Sequence, residues 1–137
     1  MNKCLAIRSI VTIAVVGCIA LLLASCGHKP QAGGDISKVA VKFADDVVNN
    51  RYTAIVPYLD DTMKSQLTES RLTQVTSAIK QQLGNHVSSG TPVLRKIQGY
   101  DAVYIPYQFQ RGSQDIKVVF DGNGKIAGLF FVNHGSL

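Results

Sequence analysis

No cysteine lies beyond residue 26 of this 137-residue chain. Disulfides, cysteine metal sites and cysteine nucleophiles are therefore excluded from everything that follows. Also lacking are a glycine-rich phosphate loop and histidine or acidic residues at metal-ligand spacings, so no cofactor or metal is expected. Charge is modest, with 14 Lys+Arg against 9 Asp+Glu and a formal net charge of +5. No aromatic platform is interleaved with Lys or Arg, which argues against nucleic acid as a partner. Long apolar runs are confined to one, residues 10–24. It falls short of the roughly 20 residues needed to cross a ~30 Å hydrocarbon core.

What is present begins with that run. Lys3 and Arg8 without an acid, an almost wholly apolar stretch from Ser9 to Ala24, and small residues before Cys26 are the three regions of a secretory signal. Leu23-Ala24-Ser25-Cys26 resembles the lipobox of bacterial lipoproteins. The resemblance implies that the Cys26 thiol is acylated with diacylglycerol and that residues 1–25 are cut away. It places the protein in the cell envelope, held through acyl chains on Cys26 to the outer side of the cytoplasmic membrane or to the outer membrane. Residues 26–34 carry three glycines and no apolar periodicity, so they read as a flexible tether, with His28 a lone solvated side chain. Removing 25 residues from 137 leaves 112, and residues 35–137 are read as a single domain. Lys3 and Arg8 leave with the signal, so 12 basic residues face 9 acidic ones and the charge falls to +3.

The first half of the domain has helical period. Asp35 is a candidate cap for a helix to about Asn50, with Ile36, Val39, Phe43 and Val47 as its apolar stripe and Lys42, Asp45 and Asp46 pointing elsewhere. A short helix from Tyr52 to Tyr58 turns Ile55 and Leu59 inward, and Asp60 or Asp61 caps a further turn through Met63 and Leu67. Thr68 caps a long helix with the stripe Leu72, Val75, Ile79 and Leu83, and Gly84 stops it. The period then falls to two. Strands are expected at Val93–Ile97, Ala102–Gln110, Ile116–Phe120 and Ile126–Val132, with a turn at residues 111–114 and a tight hairpin at Asp121-Gly122-Asn123-Gly124. Pro106 lacks an N–H and predicts an edge or a bulge. Helices first and strands second define an α+β domain, with N-terminal helices packed on a curved antiparallel sheet of about four strands.

The helix pattern carrying Phe43, Tyr52, Leu59 and Met63-Lys64, the loop around Gly84, and the segment from Ile116 to Phe130 resemble a small domain of unknown function. That domain has a nuclear-transport-factor-2-like, or cystatin-like, fold. The resemblance spans about residues 36 to 133. It implies a cone between sheet and helices that related folds use as a ligand pocket or active site. Because such domains occur in lipoproteins and ahead of α/β-hydrolase or other envelope domains, it also implies an accessory or binding role.

Alternation puts Val103, Ile105, Tyr107, Phe109, Ile116, Val118, Phe120, Ile126, Phe130 and Val132 on the inner strand face. Tyr107, Phe109, Phe120 and Phe130 are the candidate pocket residues. None of the inner set is a carboxylate or histidine, and proton transfer needs a titratable group within reach of substrate. His86 reads as a loop residue, His134 as part of a fraying terminus, and Asp115 as facing outward. The chain is therefore read as non-catalytic. The opposite face carries Tyr104, Leu129 and Phe131, too apolar for an open sheet face, which makes them the candidate interface for a second copy or an envelope protein. The expected function is a membrane-anchored binding or interaction module; the alternative is a small-ligand pocket or enzyme in the cone.

Overall fold

A computed structural model describes residues 34–136. The signal, Cys26 and most of the tether lie outside the described residues. The chain forms helices α1 (Gly34–Val48), α2 (Tyr52–Ile55), α3 (Asp61–Gln66) and α4 (Glu69–Leu83), with a 3-10 turn at Val56–Tyr58. Strands β1 (His86–Ser89), β2 (Val93–Ile97), β3 (Tyr100–Phe109), β4 (Gly112–Phe120) and β5 (Ile126–Asn133) follow. The domain is thus α+β, with helices preceding a five-stranded antiparallel sheet. β4 lies between β3 and β5, and β1 and β2 share the other edge of β3.

Local chemistry sets the helix ends. Asp60 and Thr68 cap α3 and α4, accepting from Met63 N at 2.6 Å and Arg71 N at 3.3 Å. α1 ends with Asn50 at φ 55°, while Asn50 N bonds Val47 O and Arg51 N bonds Asp46 O. That paired closure is a Schellman motif, and Asn tolerates its left-handed residue. Gly84 ends α4 at φ 82°, where a Cβ would lie 2.7 Å from Gln110 Oε1. Gly84→Ala is expected to cost about 1–2 kcal/mol from backbone strain and this clash, read as a lower urea midpoint.

The core is the seam between α1 and the inner sheet face. Phe43, Ala44 and Val47 of α1, Ile55, Leu59 and Leu72 all have zero exposure, as do Val103, Ile105, Tyr107, Ile116, Val118 and Ile126. α4 is held differently. Leu72 alone of its expected stripe is buried; Val75, Ile79 and Leu83 are half-buried. The helix is fastened at its ends, by Asn50 against Thr73 at 3.2 Å and by Arg111 at its C-terminus. Arg111 donates to Gln82 O at 3.2 Å and Gln81 O at 2.5 Å, a cation at the negative end of a helix dipole. Arg111→Ala is expected to cost about 1 kcal/mol and to raise amide exchange chiefly in the last turn of α4.

Three features of the sheet differ from expectation. β1 is a strand that the sequence does not announce: His86-Val87-Ser88-Ser89 has no alternation, and a register shift between His86 and Ser88 breaks its pairing with β3. β4 begins at Gly112, so the turn is only Gln110-Arg111. Pro106 is in neither an edge strand nor a bulge but in central β3, facing the interruption between β1 and β2. Its carbonyl accepts from Gly90 N at 2.7 Å, and its missing N–H points to the same gap, where no ladder bond is needed.

Besides these three, β5 changes parity. Ile126 pairs with Phe120, but Gly128 pairs with Val119, and the register shift between them adds one residue to β5. A one-residue slip turns every later side chain over. Leu129 and Phe131 therefore face the helices, opposite Val118 and Ile116, and pack on the core. Phe130 and Val132, expected inside, share the face of Lys117 and Asp115. Gly128 makes this close: a Cβ there would come within 2.7 Å of the Phe130 ring, which lies across it.

Candidate functional site

Where α4 leaves the sheet, a cavity of about 410 Å³ opens. The end of α1 supplies Val48, Asn49 and Asn50, and α4 supplies Thr76, Ser77, Ile79 and Lys80. Asn85 and His86 close it at the start of β1, with Phe109 and Phe131 as its floor on the sheet. The walls are thus carboxamides, hydroxyls, one ammonium and one imidazole over an apolar base. Among the described residues no carboxylate lines the cavity. A second, more open hollow of about 530 Å³ lies along α1, where Lys42 and Arg51 are already paired with Asp46.

His86 is the distinctive wall residue. Its ring leans on Tyr107, with centroids 4.8 Å apart, and lies 6.1 Å from the Phe109 ring. Its Nε2 is buried with no hydrogen-bond partner. Buried polar atoms are nearly always satisfied, so this orphan is exceptional. Beneath it, the Tyr107 hydroxyl donates to Asp45 Oδ1 at 2.5 Å. Burial, then the hydrogen bond to Asp45 and its charge, push the Tyr107 hydroxyl far above its ordinary value near 10, so it stays protonated. Asp45 and Asp46 therefore do not point away from the fold. Asp45 reaches into the sheet, and Asp46 is buried with Arg51 at 2.6 Å and Lys42 at 2.8 Å. Burial favours the neutral acid at Asp46, but the Lys42 hydrogen bond and charge and then those of Arg51 outweigh it and hold the carboxyl below the usual range.

Of the four candidate pocket residues, Phe109 alone lines this cavity. Tyr107 is fully buried behind His86, Phe120 fills the core at the far end of β4 opposite Asp101, and Phe130 is outside with 49% exposure. Of the three candidate interface residues, Tyr104 is on the outer face, whereas Leu129 and Phe131 are inside and Phe131 forms part of the cavity floor. The outer face brings Tyr104 and Phe130 together across Lys117, whose Nζ is 5.7 and 5.1 Å from their ring centroids.

His134 does not fray. Its Nδ1 lies 2.6 Å from Asp115 Oδ1, and Gly135 N donates to Oδ2 at 3.2 Å. Asp115 has the outward parity expected of it, yet the C-terminal residues cover it to 1% exposure. The carboxylate of Asp121 accepts from Asn123 N and Lys125 N, each at 2.8 Å, which builds the expected β4–β5 hairpin turn.

The sequence signal for His86 and Asp45 was weak for physical reasons. His86 is on a strand without alternation, and Asp45 is off the apolar stripe of α1, reached only because Tyr107 extends to it from β3.

Fold and site together define a small α+β domain with a polar-walled cavity between a loosely packed helix and an antiparallel sheet. The chain belongs to a family described as a protein of unknown function, DUF3887, whose model matches residues 40–129. No curated protein and no solved structure matches it.

Proposed function

We propose that this chain is a cell-envelope lipoprotein in which residues 1–25 are removed, Cys26 carries diacylglycerol, and one nuclear-transport-factor-2-like domain binds a small ligand at the mouth of its cone. The observation that carries the binding half is the cavity of about 410 Å³, with polar walls that include Lys80 and His86 over the apolar floor of Phe109 and Phe131. Its size falls within the roughly 300–1,000 Å³ of ligand sites. Binding is favoured over catalysis because, among the described residues, no hydroxyl or carboxylate is hydrogen-bonded to His86, and the Tyr107–Asp45 pair lies beneath the wall. The anchoring half rests on the Leu23-Ala24-Ser25-Cys26 motif and the apolar run before it. No helix among the described residues is long and apolar enough to cross a membrane. In this reading attachment is by lipid, and the two acyl chains of a diacylglyceryl group suffice for stable anchoring.

The tests separate the halves. Cys26→Ala protein is expected in the soluble fraction, and its pelleting with membranes after signal cleavage contradicts the anchor. For binding, a protein-free small-molecule extract of the host envelope is titrated into the full chain while amide resonances are followed. Shifts at Asn49, Asn50, Thr76, Asn85 and His86 are expected; shifts confined to the outer sheet face contradict the cavity as the site.

A second reading rests on a separate observation. Phe130, 49% exposed, stands across Lys117 from Tyr104, which is itself only 9% exposed, on the outer sheet face. A second copy or an envelope protein seated there would bury the exposed Phe130 ring. Sedimentation of Phe130→Ser beside the unsubstituted chain tests the dimer, which predicts a shift toward monomer.

A further inference from the structure

We infer that the cavity between α4 and the sheet takes a small organic anion. Its single carboxylate or phosphate head is held at Lys80, and its apolar body rests on Phe109 and Phe131. The inference rests on the cavity being a ligand site, and it adds the chemical class of the ligand.

Lys80 is the one lysine or arginine in these walls, and among the described residues no aspartate or glutamate lines them. Lys80 brings three N–H donors and a fixed positive charge, and among the described residues it pairs with no carboxylate. The two acids a turn back on α1 are already engaged, Asp45 by the Tyr107 hydroxyl and Asp46 by Lys42 and Arg51. Asn49 and Asn50 each commit one carboxamide N–H, to Asp45 O at 2.7 Å and Thr73 Oγ1 at 3.2 Å, and Thr76 donates its hydroxyl to Leu72 O at 2.9 Å, which leaves their second N–H groups, the Asn85 carboxamide and the Ser77 hydroxyl to donate. An ionised carboxylate or phosphate only accepts, so it complements this set. A neutral polyol carries no charge to pair with Lys80, and a cation needs carboxylates, which the cavity lacks among the described residues. The floor sets the other half of the ligand. Phe109 and Phe131, with Ile79 beside them, present apolar surface that a bare inorganic ion would leave uncovered.

Titrations of the full chain in phosphatidylcholine nanodiscs test this with benzoate, phenyl phosphate and benzyl alcohol, which share a ring and differ in head group. At least one anion is expected to bind about tenfold more tightly than benzyl alcohol, the scale of one charge-assisted contact. Whichever of the two binds better distinguishes a carboxylate from a phosphate ligand. Lys80→Gln is expected to lose about tenfold for that anion, while Lys38→Gln, on an exposed turn of α1, keeps the affinity. Equal binding of benzyl alcohol and both anions overturns the anionic class while leaving the cavity a ligand site. Binding of none of the three overturns both. Equal losses in the two lysine variants also overturn the inference, because the attraction would then be diffuse.

Discussion

Leu129→Asp should cost the domain about 2 kcal/mol, whereas Phe130→Asp, one residue further along β5, should cost under about 1 kcal/mol. Leu129 faces the helices opposite Val118 and is partly buried against the core, so an aspartate there loses apolar packing and is partly desolvated without a partner. Phe130 is half in solvent beside Lys117, which lies 5.1 Å from its ring and would pair with an aspartate. Simple alternation from Ile126 predicts the opposite ranking. Urea midpoints of the two variants therefore read the register shift directly, and a larger loss in Phe130→Asp would place the extra residue elsewhere.

Removing the buried carboxylate of α1 has the second large effect. Asp46→Ala is expected to cost about 2–3 kcal/mol near neutral pH, because two charge-assisted contacts are lost from a side chain only 4% exposed. Its partners Lys42 and Arg51 are more than half exposed and return to water, which keeps the loss below that of a fully buried pair. The effect depends on pH with a definite sign. The folded carboxyl titrates below its unfolded value of roughly 3.9, so its contribution is fully present above that value and fades as pH falls through the folded one. The difference between Asp46→Ala and the unsubstituted chain should therefore be constant from about pH 5 upward and close below about pH 4. A gap that widens in acid would mean that the folded carboxyl titrates above its unfolded value.

The helices were legible because their signals are local. Asp60 and Thr68 cap where a hydroxyl or carboxylate precedes an apolar stripe, and Gly84 stops α4 where the stripe ends. Long alternating strands were legible for the same reason, and β3 and β4 keep the predicted inner set from Val103 to Phe120. What failed depended on relations between strands. The extra residue near Ala127 leaves no mark except Gly128, whose missing side chain makes room for the Phe130 ring. That one residue exchanged the faces of Phe130 and Phe131, and with them a candidate pocket residue for a candidate interface residue. β1 was illegible because His86-Val87-Ser88-Ser89 is too polar and too short to show a period, and its strand form comes from pairing with β3. The cavity was hidden for a third reason. The stripe of α4 predicts a packed helix, whereas clasps at Thr73 and the C-terminus hold that helix half off the core.

Native mass spectrometry of the protein extracted from its own membranes into nanodiscs tests the central claim, a lipid-anchored domain with an occupied cone mouth. The predicted mass is a chain beginning at Cys26 with a diacylglyceryl group and one small non-covalent adduct, the adduct disappearing in Ser77→Trp, which fills the cavity. A chain still carrying residues 1–25, or the absence of any adduct on the unsubstituted protein, would contradict it.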